Sequence, residues 1–322
     1  MTRVHLWGAS GYAAAEAIAC IQGHPRLQIG VLESRSHGGL ALGDAFPRFR
    51  RTGLSFSEAG SVRAELVAGD IVIAAGAHGE ARMHVAEFLA KGARVVDLSA
   101  DFRFDSSAVY GLSEWNRASI APAALIANPG CYPTASLLAL LPLVRHQRPL
   151  AIVIDAKSGI TGAGRVPQLA SLFAEVSNDI RPYALEGHRH EPEISQELQR
   201  LGIDVPLTFT PHVVPLARGM LVDCYAFYGE PPDADAVAAA YKEAYSAEPF
   251  VHLIDEQRAP SVTAVLSSND AEIRVDVRGR IVRTICAIDN LGKGAATQAI
   301  QNINIMLGYP EEEGLRDRTA IA

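Results

Sequence analysis

The sequence predicts an α/β protein in which a doubly wound parallel sheet is followed by a second domain of α+β type. Three observations support this fold class. In the first third of the chain, short apolar runs alternate with segments of helical periodicity, an order typical of parallel sheets. From residue 151 onward, the apolar runs are mainly strand-like and are joined by loops that contain glycine and proline. At 322 residues, the chain is longer than one ordinary core and favours two domains.

The predicted elements of the first half follow the order strand, helix, strand. Strands with mostly apolar residues are predicted at residues 4–7, 27–32, 71–75, 95–98 and 125–127. Helices are predicted at residues 12–22, 80–91 and 134–143. A last helix at residues 294–307 has apolar positions at helical spacing, and we expect it to pack back on the first domain. Strands of the second domain are predicted at residues 151–155, 207–211, 221–228 and 281–287.

Composition and charge argue against several classes of protein. The formal net charge is −7 and the sequence has no block of lysine and arginine, so we expect neither a nucleic-acid surface nor a membrane surface. The N-terminal residues lack the apolar core of a signal peptide, and no apolar stretch approaches membrane-spanning length. Four widely separated cysteines form neither a disulfide framework nor a zinc motif. We therefore expect a cytoplasmic protein without a metal.

A glycine-containing turn follows the first predicted strand. Gly8, Ser10, Gly11 and Tyr12 lie where that strand passes into the first helix. Backbone N–H groups at a helix N-terminus can bind a pyrophosphate, and glycine permits its close approach. The same pattern also occurs in turns that bind nothing, but its place at the start of an alternating α/β run predicts a Rossmann-type dinucleotide site.

The residues after the second strand bear on the choice between NAD and NADP. Glu33 favours NAD, because an acid at this place binds the ribose hydroxyls. Ser34 and Arg35 favour the additional phosphate of NADP. A solvated surface charge is the alternative interpretation of Glu33, and the local residues leave the cofactor open.

Cys131 carries the clearest chemical signal. It lies in the sequence NPGCYPT, residues 128–134, where prolines and a glycine constrain a turn just before a predicted helix. A helix N-terminus stabilises a thiolate, and such sites lower a thiol pKa of about 8.5 by one to several units. The other three cysteines lie within apolar patterns typical of buried positions. We predict that Cys131 is a nucleophile.

The sequence GHRHEPE, residues 187–193, brings two imidazoles, a guanidinium and two carboxylates together, just before a predicted helix that begins at residue 194. No further residue at metal-ligand spacing lies nearby, which favours acid/base chemistry over metal binding. His188 and His190 are equivalent candidates at this stage. Further polar loops contain Ser158, Arg165 and Arg218, and the two arginine cations are suited to a substrate phosphate or carboxylate.

Taken in order, these segments resemble the N-acetyl-γ-glutamyl-phosphate reductases, the arginine-biosynthesis family of the semialdehyde dehydrogenase group. The resemblance covers nearly the whole chain. Its matching segments are residues 8–12, 34–36, 97–103, 128–134, 155–159, 162–165, 187–193, 209–215 and 287–291.

The resemblance implies two domains and one reaction. Residues 1–130 plus 291–322 would form the dinucleotide-binding domain, and residues 131–290 the catalytic, substrate-binding and oligomerisation domain. Cys131 would attack the acyl phosphate, NADPH would reduce the resulting thioester to an aldehyde, and His188 or His190 would transfer the proton. The protein is expected to form a homodimer or homotetramer.

The resemblance also implies the binding residues. The expected cofactor contacts are Gly8, Ser10, Gly11, Tyr12, Ser34, Arg35 and Asn290. The expected substrate contacts are Asn128, Ser158, Arg165, Arg189, Glu193 and Arg218.

The sequence departs from the family pattern at a few positions. Ala14 and Ala15 stand where at least one glycine is common, Glu33 where a small neutral residue is usual, and Gly76-Ala77 where Leu-Pro is expected. Two alternative functions stay open. One is reduction of another acyl phosphate, either aspartyl phosphate or a carrier-linked aminoadipate phosphate. The other is an NADP-binding redox sensor in which Cys131 is oxidised.

Overall fold

The computed structural model describes residues 1–255 and 257–316, which form two compact units. The first contains Met1–Pro129 and the described chain from Ala295 onward, and the second contains the described part of Gly130–Gly294. Residues 291–294, expected in the dinucleotide-binding domain, group with the second unit. Residues 317–322 of that expected domain lie outside the described residues.

The first unit consists of short strands that alternate with helices. Its strands are β1 (Thr2–Trp7), β2 (Leu27–Glu33), β3 (Ile71–Ala74), β4 (Arg94–Asp97), β5 (Val109–Tyr110) and β6 (Leu125–Ala127). Its helices are α1 (Tyr12–Gly23), α2 (Leu42–Ala45), α3 (Ser61–Glu65), α4 (Ala81–Ala90), α5 (Ser113–Ile120) and, from the end of the chain, α11 (Thr297–Leu307).

In the described part of this unit, the strands form one parallel sheet in the order β2-β1-β3-β4-β6-β5. The chain moves from β1 to β2, and then crosses back over β1 to β3. Because such crossovers are right-handed, α1 lies on one face of the sheet while α3 and α4 lie on the other. The predicted doubly wound parallel sheet is confirmed. The last helix, α11, packs against α1 and α5.

The second unit is mixed in both strand direction and secondary structure. Its strands are β7 (Ala151–Ser158), β8 (Arg181–Pro182), β9 (Leu207–Val213), β10 (Met220–Phe227), β11 (Val251–Leu253), β12 (Ala271–Arg278) and β13 (Ile281–Ile288). Its helices are α6 (Cys131–His146), α7 (Phe173–Val176), α8 (His190–Gln199), α9 (Ala234–Tyr245) and α10 (Val262–Val265).

The strands of this unit form a mixed sheet in the order β11-β12-β13-β10-β7-β9-β8. Along β7 and β10, buried and partly exposed residues alternate, as expected for a sheet with one covered face. Helix α6 contacts β10 and β13, while α8 contacts β9 and α9 contacts β12. The predicted α+β character of the second domain is confirmed.

Two helices of the second unit begin earlier than their sequences suggest. Helix α6 was expected from residue 134 and begins at Cys131, and α8 was expected from residue 194 and begins at His190. In the sequence, Pro133 and Pro192 favour turns over the residues that precede them. Both prolines lie in the first turn of their helices, where a backbone N–H has no intrahelical acceptor and proline is tolerated.

Candidate active site

Helix α6 presents Cys131 as its first residue. The preceding residue, Gly130, has extended backbone and donates its N–H to Oε1 of Glu193 at 2.9 Å. Glu193 lies in the first turn of α8 and is only 1% exposed, so this contact ties the starts of the two helices together. Cys131 itself is partly exposed. The partial positive charge at the start of α6 favours its thiolate form.

A cavity of about 330 Å³ opens beside this thiol. All of its lining residues belong to the second unit. Five of the predicted site residues line it, namely Cys131, Ser158, His188, Arg189 and His190. The other lining residues are Tyr132, Gly159, Ile160, Gly162, Ala163, Gln168, Ala170, Ser171, Arg181, Tyr183 and Val213.

The imidazole of His188 is enclosed by other rings. Its centroid lies 5.8 Å from that of Tyr132, 5.6 Å from Tyr183 and 4.7 Å from His190. Its Nδ1 accepts the backbone N–H of His190 at 3.1 Å. Burial, assisted by the positive charge of Arg189, lowers the pKa of His188 to about 4. The imidazole is therefore neutral at physiological pH.

Two tyrosine hydroxyls accompany the thiol. The hydroxyl of Tyr183 donates to that of Tyr132 at 3.2 Å, and Tyr132 donates to the backbone carbonyl of His212 at 3.4 Å. Burial raises the pKa of Tyr183 to about 12, and the negative charge of the nearby Cys131 thiolate adds to the rise. Burial also raises the pKa of Tyr132, and the neighbouring Tyr183 hydroxyl and then the Cys131 charge add to this rise. Both phenols therefore stay protonated as hydrogen-bond donors.

The arginines near this site differ in how they are paired. Arg181 lines the cavity, but its Nη1 pairs with Asp179 at 2.7 Å. Arg218 pairs with the buried Asp289 at 2.7 Å and lies outside the lining. Arg189 lines the cavity, and its guanidinium forms no hydrogen bond or ion pair with any described residue. The guanidinium of Arg189 is therefore available to bind an anionic ligand in the cavity.

Three further predicted residues of the second unit lie outside the cavity lining. Arg165 is partly exposed in the loop after Ser158. Glu193 accepts the N–H of Gly130, the residue that precedes α6. Asn290 is 2% exposed, and its side chain accepts the N–H of Gly219 at 2.7 Å and donates to Thr161 at 3.2 Å.

The backbone of Gly294 packs closely against Cys131. A Cβ atom at this position would lie 2.8 Å from the Cβ of Cys131. Glycine is therefore required for the chain to pass beside the nucleophile. Sequence analysis did not single out Gly294, Arg181 or Tyr183 as site residues, since only folding brings them to the site. Tyr132 follows Cys131 in the sequence, but the pattern gave it no role.

The first unit contains the predicted pyrophosphate turn between β1 and α1. Gly8 has a φ of 82° and donates its N–H to the carbonyl of Glu33 at 3.1 Å. A Cβ at Gly8 would lie 2.5 Å from the backbone N of Gly76, whereas one at Gly11 would meet nothing within 4 Å. Gly11 directly precedes α1, so the open side of the turn faces the unpaired N–H groups of the first helical turn. This geometry fits a dinucleotide phosphate.

Trp7 fills the space beside this turn. A side chain on Gly76 would collide with the indole of Trp7, and that indole packs 4.6 Å from the ring of His84. The glycine at position 76, where the family pattern has leucine, is thus explained by the tryptophan at position 7.

Glu33 does not behave as a solvated charge. It is 6% exposed, and its Oε2 accepts the N–H of Val62 in the first turn of α3 at 2.8 Å. Ser34 is also buried, and its Oγ accepts the N–H of His37 at 3.2 Å. The side chain of Arg35 is 79% exposed and pairs with Glu80 at 3.1 Å.

Asn128, predicted to bind substrate, lies in the first unit and is fully buried. Its amide donates to the carbonyl of Ala295 and accepts from Asn302, each at 3.1 Å. Within the described residues, no group of three or more histidine, cysteine, aspartate or glutamate side chains is arranged to hold a metal ion. No helix in that part of the chain combines the length and apolarity needed to cross a membrane.

Comparison with known proteins assigns the family. Residues 3–123 match the model of the semialdehyde dehydrogenase NAD binding domain, and residues 131–290 match that of the semialdehyde dehydrogenase dimerisation domain. N-acetyl-gamma-glutamyl-phosphate reductases from Desulfotalea psychrophila and Azotobacter vinelandii are 41% and 40% identical to the chain, each over 98% of both sequences. The chain belongs to the N-acetyl-gamma-glutamyl-phosphate reductase family. As a member of this reductase family, it is an oxidoreductase.

Solved structures of the wider group share the fold of this reductase family member. Aspartate semialdehyde dehydrogenase II of Vibrio cholerae, complexed with ASA, has a TM-score of 0.77 at 18% identity and covers 96% of this chain and 98% of its own. Aspartate semialdehyde dehydrogenase of Candida albicans, solved with NADP, has a TM-score of 0.73 at 15% identity, with coverages of 96% and 99%.

Proposed function

We propose that this protein reduces N-acetyl-γ-glutamyl phosphate to N-acetyl-glutamate semialdehyde in arginine biosynthesis, with NADPH as reductant and a thioester on Cys131 as intermediate. The observation that carries the proposal is the placement of Cys131 at the start of α6, in a cavity that it shares with two imidazoles and the cation Arg189.

The first step is acyl transfer to sulfur. The thiolate of Cys131 attacks the acyl carbon, the bond to the phosphate oxygen breaks, and phosphate leaves with the bonding electrons. Arg189 stabilises the phosphate as negative charge develops on it, because its guanidinium is not already neutralised by a carboxylate. The resulting thioester splits one difficult reduction into two easier steps.

The second step converts the thioester to the aldehyde. When bound, NADPH supplies a hydride to the thioester carbon. An imidazole of His188 or His190 protonates the oxygen of the tetrahedral species and takes the proton back as the carbon–sulfur bond breaks. Such acid/base assistance typically contributes about 10²- to 10⁴-fold in rate. The Cys131 thiolate is regenerated.

The first unit has suitable residues for the cofactor. Gly8, Ser10, Gly11 and Tyr12 would hold the pyrophosphate at the start of α1. Ser34 and Arg35 would hold the additional phosphate of NADP. Oε2 of Glu33 accepts the N–H of Val62, so this carboxylate has a structural role at the start of α3.

The cavity also favours an N-acylated substrate over aspartyl phosphate. Among the described residues, no aspartate or glutamate lines the cavity. A free α-ammonium group would lack a carboxylate partner there and would pay for its desolvation. An N-acetyl group is neutral and apolar at its methyl, and Ile160, Ala163 and Val213 offer apolar surface. Kinetics with the three candidate acyl phosphates test this choice.

We further propose that the second unit forms a homo-oligomer. Between residues 166 and 185, large apolar side chains are exposed, with Leu169 at 74%, Phe173 at 84% and Leu185 at 71%. Such a concentration of apolar surface is typical of protein interfaces. The same segment contributes Gln168 and Arg181 to the cavity, so assembly and catalysis would share it.

One assay tests the proposed reaction in the reverse direction. N-acetyl-glutamate semialdehyde and phosphate are mixed with the protein and either NADP or NAD, and the nicotinamide absorbance is followed. We expect phosphate-dependent reduction of NADP that exceeds that of NAD. Cys131→Ser should abolish it, whereas Cys20→Ala, at a buried position in α1, serves as the matched control. Full activity of Cys131→Ser would rule out the thioester route. Binding of NADP without any turnover by the unmodified protein would favour the redox sensor.

A further inference from the structure

We propose that Asp289 is a positioning residue for the reaction: its buried carboxylate fixes the turn that packs against Cys131, and Arg218 is its counter-ion instead of a substrate ligand. The inference rests on the function proposed above, in which Cys131 is the nucleophile. It replaces the substrate-binding role that the family resemblance implies for Arg218.

The carboxylate of Asp289, which directly follows β13, is fully buried and accepts donors from three segments of the chain. Oδ1 accepts the backbone N–H of Leu291 at 2.9 Å and that of Gly292 at 3.2 Å. Oδ2 accepts the backbone N–H of Ser267 at 2.5 Å. Arg218 donates from Nε to Oδ1 at 3.2 Å, and its Nη2 lies 2.7 Å from Oδ2. Amide donors and a cation together compensate a buried carboxylate for the water that it has lost.

The turn at residues 289–294, which these hydrogen bonds shape, packs against the nucleophile. The N–H of Gly294 donates to the backbone carbonyl of Asp289 at 2.9 Å and closes the turn. A Cβ at Gly294 would lie 2.8 Å from the Cβ of Cys131 and 3.2 Å from its Cα. The backbone of Cys131 is therefore in close contact with a turn whose shape depends on the Asp289 carboxylate.

The backbone at Ser267 gives separate evidence that this carboxylate imposes local geometry. Ser267 has a φ of 60°, in the left-handed region that residues other than glycine rarely adopt. Such a conformation persists only where the surrounding contacts hold it, and the N–H of Ser267 donates to Asp289. A Cβ at Gly292 would collide with the carbonyl oxygen of Ser268, so the two backbones are also packed directly together.

Arg218 belongs to the loop that supports one wall of the cavity. The N–H of Gly159, a lining residue, donates to the carbonyl of Gly219 at 2.9 Å. A Cβ at Gly159 would lie 2.8 Å from the Cα of Arg218. The side chain of Asn290 accepts the N–H of Gly219 at 2.7 Å. The ion pair between Arg218 and Asp289 thus joins the cavity wall to the turn beside the thiol, and all of these residues belong to the second unit.

The position of Arg218 argues against direct contact with substrate. It lies outside the cavity lining, and its guanidinium pairs with a fully buried carboxylate. A cation in this role cannot turn to an anionic ligand without leaving the carboxylate unpaired, which is strongly destabilising. Arg189, in contrast, lines the cavity and is the cation suited to the phosphate.

For the reaction, the consequence concerns the approach of sulfur to the acyl carbon. Attack requires the two atoms to come within about 3–3.5 Å with their orbitals aligned, and a misplacement of about 1 Å can cost about 10²-fold in rate. Release of the turn would let the start of α6 shift, and the sulfur of Cys131 with it. Asp289 therefore acts on the rate of the chemical step and not on the affinity for substrate.

Alkylation of Cys131 tests the inference without turnover. Its rate of reaction with iodoacetamide is measured from about pH 5 to about pH 9 in the unmodified protein and in Asp289→Asn, and mass spectrometry identifies the labelled site. In the variant, an amide NH₂ replaces one of the two acceptors and would face a donor, so the turn is released. We expect the midpoint of the pH profile to rise by at least about 0.5, because the thiolate loses its fixed place at the start of α6.

The direction of this change separates geometry from charge. Loss of a negative charge at Asp289 would by itself favour the thiolate and lower the midpoint. An unchanged or lowered midpoint in the folded variant would therefore overturn the proposal. Because alkylation needs neither substrate nor cofactor, it decides the role of Asp289 even if the proposed reaction fails.

Kinetics of the reverse reaction separate positioning from substrate binding. Asp289→Asn should lower kcat by about 10- to 100-fold and leave KM for phosphate and for the semialdehyde within about 3-fold. Arg218→Lys keeps a cation beside the carboxylate and should retain both KM values. A KM raised by about 10-fold or more in Arg218→Lys would show that Arg218 binds substrate and would overturn the proposal.

The matched control is Asp276→Asn. Asp276 on β12 pairs with Arg274 at 3.0 Å and with Arg283 at 2.5 Å, and it lies outside the cavity lining, so its variant should retain kcat. Circular dichroism checks the folding of each variant. An unchanged kcat in folded Asp289→Asn, or equal losses in Asp289→Asn and Asp276→Asn, would contradict a positioning role. If Asp289→Asn does not fold, the KM values of Arg218→Lys decide the proposal.

Discussion

Burial strongly perturbs the carboxyl group of Asp97 in the parallel sheet. It lies at the end of β4, fully buried, and accepts the N–H and hydroxyl of Ser99 at 3.1 and 2.8 Å. Burial outweighs these hydrogen bonds and raises its pKa from 3.8 to about 6. The folded protein therefore holds the proton of Asp97 more tightly than the unfolded chain does.

This shift predicts a pH-dependent stability. The contribution of Asp97 is fully present below pH 3.8 and is lost as the pH rises through about 6, at a total cost of about 3 kcal/mol. Asp97→Asn has no such ionisation. Between about pH 4 and about pH 8, its thermal midpoint should rise relative to that of the unmodified protein. Calorimetry at both pH values checks this, and a constant difference between the two proteins would contradict it.

At the level of single residues, the sequence marks candidate chemical groups but does not reveal which residues surround them in the fold. Cys131 and the histidine pair stand out because prolines, a glycine and clustered polar groups mark them locally. The pairing of Arg218 with Asp289 and the enclosure of His188 by Tyr132 depend on contacts between residues far apart in the chain. The hydrogen bond from the N–H of Val62, in the first turn of α3, to the Glu33 carboxylate likewise depends on the folded positions of both residues.

At the level of elements, the start of α6 depends on the start of α8. Glu193 accepts the N–H of Gly130 from a position that is almost completely buried. An unmet buried N–H costs about 1–3 kcal/mol, and the freed turn would carry Cys131 with it.

The corresponding variants should separate geometry from charge. Glu193→Ala removes the acceptor, so we expect a lower thermal midpoint and a kcat reduced by about 10-fold or more. Glu193→Gln keeps a carbonyl acceptor at nearly the same place and should lie much closer to the unmodified protein. Calorimetry and the reverse assay measure the two effects. Equal behaviour of the alanine and glutamine variants would mean that the hydrogen bond does not position the thiol.

Element types were predictable because periodicity is local, but the starts of α6 and α8 were not. Pro133 and Pro192 are signals of turns in a sequence, and only the backbone shows that each occupies a first helical turn. Similarly, β8 is too short to give a pattern, and it becomes a strand only because β9 pairs with it.

At the level of the whole molecule, the exposed apolar segment at residues 166–185 is the oligomer interface that we propose. We expect sedimentation of the unmodified protein as a dimer or tetramer, and Phe173→Asp should shift it toward the monomer because a charge replaces a large apolar side chain in the interface. Met83→Asp, at a 72% exposed position of the first unit, is the matched control and should sediment like the unmodified protein. A monomeric unmodified protein, or a Phe173→Asp variant with unchanged mass, would contradict this interface.

The contact of Trp7 with Gly76 limits how this protein can evolve. Because the indole occupies the volume that a residue-76 side chain would need, leucine at position 76 requires a smaller or displaced side chain at position 7. Homologous sequences with leucine at position 76 should therefore have a residue smaller than tryptophan at position 7.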